Sequence, residues 1–168
     1  PARTRPSRSS AREAPQASHM GIRWRSERRG LMTRAAMPTT AVAAAAYAGI
    51  PLTHRKLAAT LAFVTGHEDP HKEESSIEWE SLARGIGTLV FFMGVKNLPD
   101  ITQKLIANGK SPDTPVALIR WGTTARQKTV IGTLGTIAKN ARAAGLKAPA
   151  IIVVGDVVKL RQSLKWFE

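Results

Sequence analysis

The last eighty residues alternate between short apolar runs and segments whose apolar residues recur three and four positions apart. Uninterrupted runs rich in Val and Ile are typical of buried strands, and the three-and-four spacing indicates amphipathic helices. Such alternation indicates an α/β fold with a mixed sheet and flanking helices. The pattern predicts strands at residues 88–93, 115–120, 127–131 and 150–154, and helices at residues 98–108 and 134–144.

Apolar residues are spaced less regularly in the part of the chain before this region. An Ala-rich run at residues 39–47 predicts a tightly packed helix, which ends at the Gly-Ile-Pro turn of residues 49–51. Two short apolar segments, 57–64 and 76–83, flank a polar stretch at residues 66–75. A buried helix followed by a solvated loop is therefore the expectation for this part of the chain.

The opening segment, residues 1–38, differs from the rest in its charge. The formal net charge of the chain is +13, and residues 1–37 contribute +7 of it through nine Arg, no Lys and two Glu. This segment is also rich in Ser, Ala and Pro, so we expect it to be disordered or weakly structured. An organellar transit peptide and a nucleic-acid-binding arm are two further interpretations. We favour a segment translated out of frame, because Arg without Lys is typical of such products of high-GC coding sequence.

Composition excludes several classes of site. The chain contains no Cys, which excludes disulfides, thiolate metal sites and thiol nucleophiles.

The longest apolar run, residues 41–52, is shorter than the roughly 18 residues that a membrane-spanning helix needs. No apolar stretch follows the first Arg residues as it would in a secretory signal. We therefore expect a cytoplasmic protein with no membrane partner.

Glycine follows three of the predicted strands. Loops at strand ends in α/β sheets are common ligand sites, and glycine lets the backbone approach a nucleotide-like cofactor closely. The alternative is that each glycine only permits a tight turn. The three junctions are Met93–Gly94, Trp121–Gly122 and Val154–Gly155.

Two histidines, His67 and His71, lie among four acidic residues, and imidazole with carboxylate is a zinc-binding combination. Pro70 breaks the helix that would place residues four apart on one face, so we predict a hydrated loop and no metal site. Arg55 follows the 49–51 turn, where it either pairs with a substrate carboxylate or is an ordinary surface residue. No Ser-His-Asp order, P-loop, GxGxxG fingerprint or paired-carboxylate spacing identifies a catalytic residue.

Six short segments form a specific pattern when their order and spacing are taken together. They are AYAGIPLTHR at 46–55, VTGH at 64–67, TLVFFMG at 88–94, PVALIRWGT at 115–123, IIVVGDVV at 151–158 and LKWF at 164–167. In this order they resemble the uroporphyrinogen-III C-methyltransferase family of tetrapyrrole methylases. The resemblance covers about residues 39–168.

The resemblance implies the tetrapyrrole methylase fold, in which two α/β lobes hold the methyl donor between them. It makes residues 88–168 a complete second lobe, residues 39–87 a helical remnant and linker of a largely absent first lobe, and residues 1–38 an aberrant segment. The family's first-strand glycine-rich loop, with its acidic residue, and its Gly-Gly-Asp-Pro loop have no counterpart in residues 1–38. Both loops touch the donor in the family, and the acidic residue is a candidate base. We therefore expect little or no methyltransferase activity from this polypeptide alone.

The resemblance also implies a reaction. Such enzymes transfer methyl groups from S-adenosylmethionine to C2 and C7 of uroporphyrinogen III, giving precorrin-2 for sirohaem and cobalamin synthesis and releasing S-adenosylhomocysteine. The family's donor contacts fall on Thr39, Thr40, Met93 and Gly122, although the Pro-Gly pair that precedes the two Thr in the family is absent here. Four basic residues are candidate partners for the eight substrate carboxylates. They are Arg55, Lys96, Arg120 and Arg126.

The resemblance further implies a homodimer and no nucleic-acid partner. Two alternatives remain open, namely nucleic-acid binding through the Arg-rich start and a non-catalytic dimerisation partner of an intact methylase. Strongly salt-dependent binding would indicate the first alternative. Co-purification with a full-length enzyme would indicate the second.

Overall fold

A computed structural model describes residues 39–66 and 76–167, which all fall within one compact unit, Ala36–Glu168. The helices and strands follow one another along the chain in the alternation that the sequence predicts. In chain order they are α1 (39–47), β1 (Leu61–Thr65), α2 (Trp79–Gly85), β2 (Thr88–Phe92), α3 (Leu98–Ala107), β3 (Pro115–Arg120), β4 (Lys128–Thr133), α4 (Ile137–Ala143), β5 (Ala150–Val154), the 3-10 helix η1 (Asp156–Leu160) and α5 (Arg161–Leu164).

The five strands form one mixed sheet in the order β1-β2-β5-β3-β4. Strands β1 and β2 are parallel, β5 is antiparallel to both β2 and β3, and β4 is antiparallel to β3. Strands β1, β2 and β3 therefore point the same way. We call the end of the sheet where these three strands finish the carboxyl end, and the opposite end the amino end.

Helix α1 covers one face of the sheet. Its buried residues Ala41, Ala44 and Ala45, with Ala48 directly after the helix, recur three and four positions apart. They share a core with sheet residues Val90, Ala117, Ile119 and Val153. Because alanine side chains are small, the helix axis lies close to the strands. The Ala-rich composition of residues 39–47 thus has a packing cause, and the predicted buried helix is confirmed.

The other face of the sheet is covered by α2, α3 and α4. Alternate strand residues point to this side, among them Leu89, Phe91, Leu118 and Ile152, and pack with helix residues such as Leu105. All five residues of β2 are buried, since both faces of the central strands are covered. Full coverage explains why these strands are continuous apolar runs in the sequence.

The predicted elements agree with the structure most closely in the centre of the sheet. The bounds of β3 and β5 are confirmed, and β2 and α3 each end one residue earlier than predicted. Both bounds of β4 and of α4 differ from the prediction. Strand β4 begins one residue late, at Lys128, and runs to Thr133 rather than to residue 131. Helix α4 begins three residues late, at Ile137, and ends one residue early, at Ala143. Residues 134–136 form a turn instead, in which the hydroxyl of Thr136 accepts a hydrogen bond from the Thr133 N–H.

The described part of residues 39–87 is joined to the same sheet. Strand β1 pairs with β2 from Leu61 opposite Thr88 to Thr65 opposite Phe92, and α1 packs across the sheet centre. Within the described residues, the packing therefore shows no division at residue 87. No helix in these two ranges combines the length and apolar character that a membrane span requires.

Candidate functional site

The junctions that follow β2 and β3 meet at the carboxyl end of the sheet. The register pairs Phe91 with Ile152 and Arg120 with Ala150, so that β5 alone separates the two strands. Continuing the β2 register by two residues places Met93 level with Ala150. The two predicted strand ends are therefore neighbours, one on each side of the first residue of β5.

Left-handed backbone marks both junctions. Met93 has φ of 53°, Trp121 has φ of 49° and Thr123 has φ of 68°. This conformation costs an L-residue about 1–2 kcal/mol and is concentrated at functional sites. Sequence analysis named the Trp121–Gly122 junction but did not predict left-handed backbone at Trp121 or Thr123, because apolar patterning and spacing do not reveal it. Within the described residues, no hydrogen bond engages the main chain of Met93 or of Gly122.

The glycines at these junctions are closely packed. A Cβ on Gly94 would lie 2.8 Å from Cδ1 of Ile101, and one on Gly122 would lie 2.3 Å from Cβ of Ala44. Gly155 follows the antiparallel strand β5 and so lies at the amino end of the sheet, away from the other two. Glycine at these positions therefore reports close packing, and only two of the three junctions share a location.

Helix α1 begins beside the same junctions. Its residue Ala44 contacts Gly122, and the carbonyl of Ala48 accepts a hydrogen bond from the guanidinium of Arg161 in α5. The helix thus runs from the carboxyl end of the sheet toward α5. Thr39 and Thr40, both exposed, lie about one turn before Ala44 and therefore near Gly122.

Three of the four predicted basic residues lie at the carboxyl end. Lys96 is exposed in the turn between β2 and α3. Arg120 and Arg126 both stack on the Trp121 ring, with their guanidinium carbons 3.7 and 4.8 Å from the ring centroid. The structure therefore gathers three cations beside the Met93 junction.

Arg55 lies elsewhere. It belongs to a turn closed by a hydrogen bond from the His54 N–H to the Ala58 carbonyl, 2.9 Å long. Ala58 in turn packs against Gly87, the residue before β2, which is at the amino end of the sheet. Arg55 is exposed there and does not join the other three cations.

Two cavities lie away from these residues. One, of about 420 Å³, is at the amino end and includes Lys110, whose Nζ donates hydrogen bonds of 3.0 Å to the carbonyls of Ala83 and Ile86. Burial lowers the pKa of Lys110, and nearby Asp156 partly opposes this. Sequence reasoning missed Lys110, since a lone Lys after a helix-ending glycine is usually solvated. The second cavity, of about 300 Å³, lies between β3, β4, η1 and α5.

Some predictions fall outside the described residues. The histidines for which no metal site was predicted, His67 and His71, are among them. So is the Arg-rich segment of residues 1–38, with its alternative interpretations. These remain predictions.

Comparison with known protein families identifies the family of this chain. The sequence profile of the tetrapyrrole (corrin/porphyrin) methylases matches residues 38–138, more than half of the chain. The chain belongs to the tetrapyrrole methylase family. The expected fold class, an α/β tetrapyrrole methylase fold with a mixed sheet, is confirmed.

Curated relatives of this tetrapyrrole methylase chain are about 50% identical to it over the aligned residues. It is 54% identical over 126 residues to the S-adenosyl-L-methionine-dependent uroporphyrinogen III methyltransferase of Methanosarcina barkeri, covering 75% of this chain and 49% of that protein. It is 48% identical over 130 residues to a siroheme synthase of Thiobacillus denitrificans, covering 77% and 26%. The tetrapyrrole methylase chain thus spans about half the length, or less, of these relatives.

A solved structure shows the same fold. Uroporphyrin-III C-methyl transferase from Thermus thermophilus, complexed with S-adenyl homocysteine, matches with a TM-score of 0.57 and 26% identity. The match covers 84% of this tetrapyrrole methylase chain and 63% of that protein. The described sheet and helices therefore correspond to part of a larger methylase.

Proposed function

We propose that this chain serves S-adenosylmethionine-dependent C-methylation of uroporphyrinogen III at C2 and C7, giving precorrin-2 for sirohaem and cobalamin synthesis. The observation that carries the proposal is the shared position of the Met93 and Gly122 junctions at the carboxyl end of the sheet. The Methanosarcina barkeri relative is named as a uroporphyrinogen III methyltransferase, which supports the proposed reaction. The Thiobacillus denitrificans relative is named as a siroheme synthase, which supports the sirohaem pathway.

The donor site that we propose consists of Thr39, Thr40, Met93 and Gly122. The exposed side chain of Met93 supplies an apolar surface. The main-chain groups of Met93 and Gly122, which make no hydrogen bond within the described residues, suit the polar edges of adenosine. Bound S-adenosylmethionine supplies a sulfonium that makes its methyl group electrophilic. The task of these four residues is to hold and orient the donor, and much of the catalysis comes from that positioning.

The substrate carboxylates have candidate partners at the same end of the sheet. Lys96, Arg120 and Arg126 lie beside the proposed donor site, and guanidinium groups bind carboxylates through paired hydrogen bonds. Arg55 remains a candidate at the other end of the sheet. We infer that the first three contact the substrate nearest the transferred methyl group.

The assembly is also part of the proposal. We infer that residues 88–168 form the second lobe of a methylase that acts as a homodimer in the cytoplasm, and that residues 39–87 are a helical remnant and linker of its first lobe. The glycine-rich and Gly-Gly-Asp-Pro loops of the family do not occur in residues 1–38. We therefore expect residues 1–168 on their own to turn over uroporphyrinogen III slowly or not at all, and rapid turnover in an absorbance assay for precorrin-2 would contradict this.

Calorimetric titration of the purified chain with S-adenosylhomocysteine at about 50 and 200 mM salt tests the donor site. A cofactor pocket gives saturable, 1:1 binding whose affinity changes little with salt, whereas nucleic-acid binding by Arg loses on the order of 10³-fold over this range. A DNA oligonucleotide titrated under the same two conditions is the comparison. Absence of saturable heat with S-adenosylhomocysteine, together with salt-dependent DNA binding, would refute the proposal.

A further inference from the structure

Trp121 carries two cations on its ring. The guanidinium carbon of Arg120 lies 3.7 Å from the ring centroid and that of Arg126 lies 4.8 Å from it. Contacts this short are cation–π interactions, worth roughly 0.5–1 kcal/mol each at exposed sites and more when desolvated. A single tryptophan therefore holds two positive charges close together, although the two groups repel each other.

Within the described residues, neither cation has a counter-charge in an ion pair. Residues 114–155 contain six Lys and Arg but no Asp or Glu. The ion pairs of the described residues involve Arg84, Lys104 and Lys159. Within the described residues, neither Arg120 nor Arg126 forms an ion pair. The Nε of Arg120 is buried and makes no hydrogen bond with these residues. A buried N–H donor without a partner is costly, so a bound anion that reaches the Arg120 guanidinium would stabilise it.

The loop that carries the pair is internally fixed. The Trp121 carbonyl accepts hydrogen bonds from the hydroxyl of Thr124 at 2.7 Å and from its N–H at 3.3 Å. The Thr123 N–H donates to the side-chain carbonyl of Gln127 at 2.7 Å, and the Gln127 N–H donates to the Thr124 carbonyl at 2.8 Å. These bonds hold Arg126, five residues after Trp121, over the ring of Trp121. An anion would therefore meet two cations already in place, with less side-chain entropy to lose.

We propose that Arg120, Trp121 and Arg126 form one carboxylate-binding unit, in which Trp121 is the positioning residue. Two adjacent guanidiniums match the two oxygens of a carboxylate, and an anion relieves the repulsion between them. Assigning that carboxylate to a side chain of the tetrapyrrole rests on the function proposed above. The carboxylate chemistry itself rests only on the three side chains.

Citrate, at constant ionic strength and added to isotopically labelled full chain, is the probe. We expect saturable NMR shifts of the Trp121 indole N–H and the Gly122 amide. Arg126→Gln should weaken citrate binding about fivefold or more, because it removes half of the pair. The matched control is Arg142→Gln, an exposed arginine of α4 that does not stack on Trp121; it should weaken binding less than about twofold.

Substitution of Trp121 separates positioning from total charge. Trp121→Leu keeps every charge, yet should weaken citrate binding about as much as Arg126→Gln, while Trp121→Phe should restore most of the affinity. Equal losses for Arg126→Gln and Arg142→Gln, wild-type binding by Trp121→Leu, or no saturable shift with citrate would each overturn the unit. If Trp121→Leu does not fold, the citrate affinities of Trp121→Phe, Arg126→Gln and Arg142→Gln test the proposal instead.

Titration of the same samples with S-adenosylhomocysteine keeps the two proposals distinct. Citrate binding without S-adenosylhomocysteine binding leaves the carboxylate unit standing and removes the proposed function. The reverse result removes the unit and leaves the donor site standing.

Discussion

Gly122 lies directly against Ala44 of α1: a Cβ on Gly122 would be 2.3 Å from the Ala44 Cβ and 3.0 Å from its Cα. The loop after β3 and the middle of α1 therefore pack closely against each other. Thr39 and Thr40 begin the same helix, about one turn before Ala44. This packing therefore joins α1 to the junction that begins at Trp121.

Gly122→Ala should destabilise the protein by about 1–3 kcal/mol, because α1 or the loop must move to admit the methyl group. Gly85→Ala is the matched control, since Gly85 is the last residue of α2 and nothing lies within 4 Å of its Cβ position. That control should be neutral or stabilising by up to about 1 kcal/mol. Urea unfolding measures both, and equal stability of the two variants would show that Gly122 does not contact Ala44.

Met93→Gly should lower the affinity for S-adenosylhomocysteine without lowering the stability of the fold. Removing left-handed strain gains about 1–2 kcal/mol, and the added flexibility of glycine costs about 0.5–1 kcal/mol, so the free energy of unfolding should stay level or rise slightly. Affinity for S-adenosylhomocysteine should fall, because the exposed Met93 side chain is lost from the donor site. Met93→Ala retains the strain and tests the side chain alone. A Met93→Gly variant that is destabilised yet binds normally would contradict both expectations.

Lys110 should make stability depend on pH. Its pKa in the folded protein lies below the ordinary value of 10.5, so between those two values the unfolded chain holds a proton that the folded chain has released. The contribution of Lys110 to the free energy of unfolding therefore rises with pH across this window. Neutral Lys110 keeps two N–H donors for the carbonyls of Ala83 and Ile86.

The measurement for Lys110 is the difference in unfolding free energy between the wild type and Lys110→Met at about pH 8 and about pH 10. The difference should grow at the higher pH. Lys147→Met, at an exposed position, is the control and should show no such growth. A difference that shrinks as the pH rises would mean that the charged form of Lys110 is favoured by folding.

The C-terminal aromatic residues should stabilise the end of α1. The indole N–H of Trp166 donates to the Ala46 carbonyl at 3.2 Å, and its ring lies 4.9 Å from that of Tyr47. Trp166 is 65% exposed, so Trp166→Ala should cost only about 1 kcal/mol. Trp166→Phe keeps the ring contact and should cost about half as much in thermal unfolding. Equal losses for the two variants would assign the effect to the hydrogen bond alone.

The central sheet could be predicted from the sequence because its strands are buried on both faces. The runs that became β3 and β5 are uninterrupted and rich in Val and Ile, so their bounds were correct. Strand β4 is only partly buried and its residues alternate less clearly, which explains its shifted bounds. The turn before α4 depends on the Thr136 hydroxyl, a local competitor of the helix that apolar spacing does not reveal.

The arrangement of the site could not be predicted in the same way. Its two junctions are neighbours only because β5, the last strand in the chain, inserts between β2 and β3, and strand order depends on long-range pairing. The left-handed backbone of Trp121 and the stacking of Arg126 on its ring likewise depend on the folded loop. Residue types at the site were visible in the sequence, whereas their grouping, and the separation of Arg55 from it, were not.

Titration of the labelled chain with S-adenosylhomocysteine, followed residue by residue through backbone amide shifts, tests the donor site most directly. The amides of Met93 and Gly122 should shift together and saturate with one dissociation constant, while those of Lys110 and Gly155 at the amino end should not move. Saturable shifts at Lys110 and Gly155 without shifts at Met93 and Gly122 would contradict the assignment of the donor to the carboxyl end of the sheet.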